Sequence, residues 1–158
     1  MKLLFSICIT LLLISCNSKA QETKDVEIFS ITKTEAEWKS ELTDIQFYVL
    51  RKEGTERPFS SSLDKNYDSG TYVCAACQTP LFKSEHKFDS GTGWPSFDRT
   101  IKGNVSFSTD YNLGYTRTEE HCATCGGHLG HVFDDGPSQT TGKRHCINGA
   151  ALEFIRSN

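Results

Sequence analysis

The residues of this chain most able to do chemistry are its cysteines, and their spacing sorts them. Of seven, Cys8 and Cys16 lie in the N-terminal stretch, Cys74 and Cys77 form "CAAC", Cys122 and Cys125 form "CATC", and Cys146 stands alone in "GKRHCIN". Two CxxC knuckles can place four thiolates at tetrahedral corners, the arrangement a structural zinc ion prefers. The gap from Cys77 to Cys122 exceeds that of a compact zinc ribbon, so the metal would staple distant parts of the chain. A redox reading stays open, because in an exported protein either pair can be a disulfide. Against it, neither CxxC heads a helix in the βαβ context that a thioredoxin-like site requires. His86 and His121 are alternative ligands that four cysteines make unnecessary.

Cys146 is what remains. A lone thiol is either buried and inert or chemically used. If "RHCIN" is extended, side chains two apart share a face, so Arg144, Cys146 and Asn148 project together while His145 and Ile147 point the other way. A guanidinium beside the sulfur would favour thiolate, and the Asn148 amide could orient a polar group. Two histidines in "HLGHVF", His128 and His131, titrate near pH ~6.5 when unperturbed and can exchange protons at neutral pH, or can simply be structural. Trp94, between a glycine and a proline in "GTGWPSF", is core or the wall of a pocket.

Elements must position these groups. Thr34 and Glu37 have capping-box spacing ahead of Trp38 and Leu42, which share a helical face, so a short helix is expected there. "TDIQFYVL" is ambiguous: Thr43 and Gln46 again suit a capping box, while Ile45, Phe47, Tyr48 and Val49 suit a strand, and the reading leans to helix. From Gly70 onward, runs such as "TYVC", "VSFST" and "ALEFI" alternate with Gly, Pro, Asn and Asp punctuation. The fold class expected is α+β, mainly β, with helices confined to the start.

The 158 residues, 37% hydrophobic and 23% charged, suit one globular domain. A net charge of -3 without a Lys/Arg block excludes a nucleic-acid footprint and points to small or protein substrates. At the N-terminus, Lys2 precedes an apolar run from Leu3 to Ile14, too short to span a bilayer comfortably and typical of a signal peptide. Its end, "LISC", resembles the lipobox of bacterial lipoproteins, with a plain cleaved signal or an uncleaved anchor as the alternative. The lipobox reading implies a signal peptide over 1–15, lipidation of Cys16, a membrane anchor facing the periplasm or cell exterior, and a tether over 16–33.

Taken together and in order, "GTERPFSS", "YVCAACQTPLF", "FDSGTGWPSF", "CATCGGHLGHVFDDGP" and "TGKRHCINGAALEF" resemble the methionine sulfoxide reductase B family, from Thr34 to Phe154. The resemblance implies a catalytic domain over 34–158, built of two antiparallel sheets with short N-terminal helices, and acting as a monomer. It implies structural zinc on Cys74, Cys77, Cys122 and Cys125. It also implies reduction of methionine-R-sulfoxide, protein-bound or free, with Cys146 as the nucleophile that becomes a sulfenic acid. His131 would be the proton donor, His128 its supporting or water-ordering neighbour, and Trp94 the wall for the substrate methyl group. Asn148 and Arg144 complete the site, with Asp135 behind them.

Three departures from the family pattern stand out. Thr92 occupies the position where many relatives carry a cysteine that resolves the sulfenic acid, so regeneration should need an external thiol such as a thioredoxin-like protein. His145 stands where an aromatic residue is frequent, and "PSQTTG" is one residue longer than the common loop. The alternatives to a repair enzyme for oxidised exported proteins are a zinc-stapled binding module with an inert Cys146, or a thiol-disulfide oxidoreductase working through a CxxC.

Overall fold

A computed structural model describes residues 28–158, so the apolar run, Cys8 and Cys16 lie outside the described residues. Two helices open the domain, α1 (Glu35–Glu41) and α2 (Asp44–Lys52). Both begin with a complete capping box: Thr34 N–H donates to the Glu37 carboxylate at 2.7 Å, and Thr43 N–H donates to Gln46 Oε1 at 3.0 Å. The reciprocal bonds satisfy donors that a helix start leaves unpaired, which is why the ambiguous second segment is helical. α1 buries Trp38, with the Arg51 guanidinium 3.9 Å above its ring, and α2 buries Val49 and Leu50.

Among the described residues nine strands follow: β1 (Gly70–Cys74), β2 (Pro80–Lys83), β3 (Lys87–Phe88), β4 (Ser96–Phe97), β5 (Val105–Asp110), β6 (Arg117–Cys122), β7 (His128–Phe133), β8 (Arg144–Ile147) and β9 (Leu152–Arg156). They form a three-stranded sheet, ordered β2-β1-β9, and a six-stranded sheet, ordered β3-β4-β8-β7-β6-β5. Every pairing among the described residues is antiparallel. Aromatic side chains join the sheets: Phe82 stacks on Phe97 with centroids 4.3 Å apart, and Tyr72 meets Phe97 and Phe154 at 4.9 Å. Tyr72, Phe82 and Phe97 are fully buried, and each such side chain contributes roughly 1.5–3 kcal/mol through apolar surface removed from water.

One irregularity matters for the site. Glu120 pairs with Gly130 and His121 with His128, so β7 carries one extra residue, Leu129, opposite a single step of β6. Such a bulge shifts the alternation of faces. His128 and His131 are three apart, and a regular strand would send them to opposite faces. Here their rings lie 5.5 Å apart, edge to face.

The segment from Ile28 to Lys33, read from sequence as the end of the tether, lies against the domain. Ile31 N–H donates to the Thr124 carbonyl at 3.0 Å, and the Phe29 ring meets His121 at 5.9 Å. Among the described residues, no helix is long and apolar enough to cross a membrane.

Candidate active site

Strand β8 is extended and central, which sets the site. Cys146 stands directly opposite Ser96 on β4 and His131 on β7. Directly opposite residues have Cβ atoms about 4.5–5.5 Å apart, so sulfur and imidazole share one face at contact range. Arg144 and Asn148 flank Cys146 as the alternation requires. A cleft of about 140 Å³ opens here, lined among others by Trp94, Phe133, Arg117, His131, Cys146 and Asn148. That is well below the size of a drug pocket and suits the tip of one side chain.

Electrostatics at the sulfur differ from the expectation that the guanidinium fixes a thiolate. Burial pushes the Cys146 thiol above its ordinary value; Arg144, by charge and hydrogen bond, and the Thr92 hydroxyl pull it down without overcoming burial, and Glu120 adds to the upward push. Arg144 is itself shared: it lies 4.5 Å over the Phe133 ring and forms two bonds, of 2.8 and 2.9 Å, with the exposed Asp135 carboxylate.

The two histidines are held by carboxylates. His131 Nε2 lies 2.8 Å from Asp110 Oδ2, and His128 Nδ1 lies 2.6 Å from Glu119 Oε1. Asp110 also pairs with Arg117 and accepts from Asn112 N–H at 2.7 Å. The Asn112 amide first, then His131 and Arg117, hold its carboxyl at about 2, despite burial. An ionised carboxylate only accepts, so the proton of neutral His131 sits on Nε2 and Nδ1 is an acceptor. Burial lowers the His131 pKa, Asp110 opposing. His128 Nε2 is buried with no hydrogen-bond partner among the described residues.

Asn148 is more constrained than its sequence context suggests. Its Nδ2 donates to the Leu129 carbonyl at 2.9 Å and its Oδ1 accepts from Glu56 N–H at 3.0 Å, which leaves one amide hydrogen for the cleft. Glu56 was not foreseen, although it lies within "GTERPFSS". It touches three parts of the site: its N–H holds Asn148, its carbonyl accepts from Trp94 Nε1 at 3.3 Å, and its carboxylate accepts from Gly149 N–H at 2.5 Å and Ala150 N–H at 2.9 Å. Burial raises its pKa. Asp110, Arg117 and Glu119 were also missed, because only the hairpin of β5 and β6 brings them beside β7.

The reverse face of β8 enters the core. There His145 Nδ1 lies 2.5 Å from Glu120 Oε1, both residues being buried, and Glu120 Oε2 has no partner among the described residues. Burial pushes the Glu120 carboxyl up. His145, where an aromatic residue is frequent in the resembled family, thus serves a buried carboxylate.

Away from the cleft, Cys74, Cys77, Cys122 and Cys125 bring their sulfur atoms within 4.8 Å of one another. The short contacts cross between motifs: Cys74 to Cys125 at 3.8 Å and Cys77 to Cys122 at 3.5 Å. None of the four is in a disulfide. Four thiolates each about 2.3 Å from a tetrahedral ion would be separated by about 3.8 Å, so the donor set fits a metal. His86 and His121 are not members of the cluster.

The chain matches the SelR domain model over residues 42–156. It is 52% identical over 127 residues to the peptide methionine sulfoxide reductase MsrB of Leptospira interrogans, spanning 80% of this chain and 96% of that protein. It is 49% identical over 139 residues to the protein of the same name from Bradyrhizobium diazoefficiens, 87% of this chain and 96% of the relative. Against mitochondrial methionine-R-sulfoxide reductase B3 of Mus musculus it is 43% identical over 141 residues, 89% of this chain and 55% of the mouse protein. With most of its described length matched, the chain belongs to the SelR domain family, the methionine sulfoxide reductases B.

Proposed function

We propose that the chain is a peptide-methionine (R)-S-oxide reductase in which Cys146 is the nucleophile. The observation that carries this reading is one cleft joining a half-buried thiol, an indole wall and an imidazole anchored on a carboxylate. The names of the relatives, which specify methionine sulfoxide and, for the mouse protein, the R form, support the substrate.

The chemistry follows from the groups present. Trp94 and Phe133 offer an apolar wall to the S-methyl group, and sulfur against a ring gains about 0.3–1.5 kcal/mol. The resting sulfur keeps its proton, so His131 Nδ1 takes it as Cys146 attacks the sulfoxide sulfur. The imidazolium, steadied by Asp110, then returns that proton to the sulfoxide oxygen as the S–O bond weakens. The net step balances as thiol plus sulfoxide giving sulfenic acid plus thioether: Cys146 is oxidised by two electrons and methionine is released. His128 supports the second imidazole position, and Arg144 and the free Asn148 hydrogen orient polar atoms.

Thr92 leaves no thiol at the resolving position, and the other described cysteines belong to the cluster. An external thiol therefore attacks Cys146 sulfenic acid with loss of water, and a second thiol equivalent, as in a thioredoxin-like dithiol, releases Cys146. The cluster holds zinc, whose preference for four thiolates matches the donors. The LISC segment supports export and lipidation of Cys16, which makes the substrates oxidised exported proteins; fatty-acid labelling that persists in Cys16→Ser would refute the anchor.

The test is activity on separated R and S sulfoxides, comparing the wild type with Cys146→Ser. Turnover of the R form alone, abolished in the variant, is expected. Equal turnover of both forms, or activity in Cys146→Ser, refutes the reading. In a single turnover without reductant, a disulfide between Cys146 and another cysteine of the chain would refute the external thiol.

A further inference from the structure

A cleft of about 140 Å³ takes the tip of one side chain, so whatever carries the sulfoxide must rest on its mouth. Two apolar walls flank that mouth. On the Trp94 side, Phe59 N–H donates to the Gly93 carbonyl at 2.7 Å, and the Phe59 ring lies over Gly93, where an added Cβ would fall 2.8 Å from a ring carbon. Gly93 is bonded directly to Trp94, which lines the cleft. On another side, Arg117 lines the cleft and its guanidinium lies 5.9 Å from the Tyr115 ring. Tyr115 belongs to the turn between β5 and β6, where Gly114 N–H donates to the Tyr111 carbonyl at 3.0 Å and Asn112 N–H to the Asp110 carboxylate at 2.7 Å. The carboxylate that anchors His131 thus also fixes this turn.

Both walls are far more exposed than their residue types favour: Phe59 by 66%, Tyr111 by 67%, Leu113 by 60% and Tyr115 by 57%. One exposed apolar side chain is ordinary, but three within five residues beside a cleft make a patch. Phe59 adds a second anomaly. Ser60 N–H donates to the Arg57 carbonyl at 3.3 Å, closing a turn with Pro58 second and Phe59 third. The φ of Phe59 is 61°, and a turn of that shape favours glycine at its third place. A bulky residue there is strained, and strain of this kind gathers where function needs the side chain. Core packing does not account for it, because the residue is two-thirds exposed.

The chemistry of the mouth selects the occupant. Two cations beside the cleft are already paired, Arg117 with Asp110 and Arg144 with Asp135. Free methionine sulfoxide brings an ammonium and a carboxylate, which paired charges and apolar walls receive poorly. A polypeptide segment brings a neutral backbone instead, and methionines oxidised out of protein interiors come with apolar neighbours. We propose that Phe59 and the 111–115 turn form a two-sided rim that binds apolar residues flanking a methionine sulfoxide in an extended, unfolded segment. The inference rests on the reductase reading and deepens it by naming the form of the substrate.

The experiment is fluorescence polarisation of labelled peptides on the metal-loaded full chain carrying Cys146→Ser, so that the sulfoxide is not consumed. Each peptide holds one methionine-R-sulfoxide, between Leu residues in one and between Ser residues in the other. The Leu-flanked peptide should bind about tenfold more tightly, the effect of partly burying an apolar side chain. Phe59→Gly, and separately Leu113→Ser combined with Tyr115→Ser, should each cut that ratio to about threefold or less. Phe59→Gly should do so with an undiminished urea midpoint, because glycine takes this backbone without strain. A Phe59→Gly chain that loses stability and keeps the ratio overturns the proposal, as does equal binding of the two peptides by the unaltered rim. A ratio that survives the variants while reduction by a thioredoxin-like dithiol is lost gives the rim to the reductant; one that survives while a self-associated form disappears in sedimentation gives it to a second copy. Either overturns the proposal. A wild-type chain without turnover on R-sulfoxides would remove the reductase reading, while these affinities still decide the rim.

Discussion

Glu56 illustrates how much of the site rests on one residue whose side chain does not line the cleft. Its carboxylate accepts from the amides just after Asn148 while its backbone fixes both Asn148 and Trp94. Glu56→Gln turns an acceptor toward a donor at one of these amides, a loss of about 1–3 kcal/mol. kcat/KM for a methionine sulfoxide peptide should fall roughly tenfold through displaced cleft walls, while the pH midpoint of Cys146 alkylation stays put. A midpoint that moves with it would place Glu56 in the thiol's own electrostatics instead. Asp110 is one of the carboxylates that add to acid sensitivity. Its folded value of about 2 lies below the ordinary ~3.9, so its contribution is full above pH ~4 and is lost as pH falls through about 2. The urea midpoint should decline across that window, and the decline should be shallower in Asp110→Asn. In the sequence, Cys146 and its i±2 neighbours were legible because strand periodicity is local. Glu56, Asp110 and Glu119 were not, because their roles arise from pairings with residues far along the chain.

Among the elements, the helices and the strands were written in local chemistry, and the capping boxes at Thr34 and Thr43 resolved the one ambiguous segment. The bulge in β7 was not. "HLGHVF" read with a period of two separates its histidines, and only the pairing of β7 with β6 reveals the extra residue that reunites them. Gly130, inside the same strand, marks how closely β7 and β8 approach: a Cβ there would fall 2.0 Å from the Cys146 carbonyl oxygen. Gly130→Ala must push the two strands apart. A loss of about 3 kcal/mol in urea unfolding is expected, together with loss of activity. An active, undiminished Gly130→Ala would show that β8 can shift without moving its sulfur.

For the molecule as a whole, the CxxC knuckles bring the end of β1 and the turn after it against the end of β6 and the turn after it, and α2 is tied to the same place by Arg51 Nη1, which donates to the Cys125 carbonyl at 2.8 Å. Structural zinc in small domains contributes about 10–16 kcal/mol, as much as the entire stability of a domain at about 5–15 kcal/mol. Chelation should therefore unfold the chain, with helix and sheet signals in circular dichroism lost together as metal is released; full activity after metal removal would contradict this. The spacing of the knuckles made this staple legible in sequence, whereas the core partner of His145 was hidden, since nothing in "RTEEHC" distinguishes Glu120, which enters the core, from Glu119, which serves the cleft. That hidden pair limits how the protein can diverge. Losing either His145 or Glu120 alone strands a polar group in the core at about 3–5 kcal/mol, whereas an apolar couple in place of both is neutral or better. Unfolding free energies of the two single variants and the double should trace that valley: descendants of this chain leave the arrangement only by changing both residues, and any lineage that keeps one is held to the other.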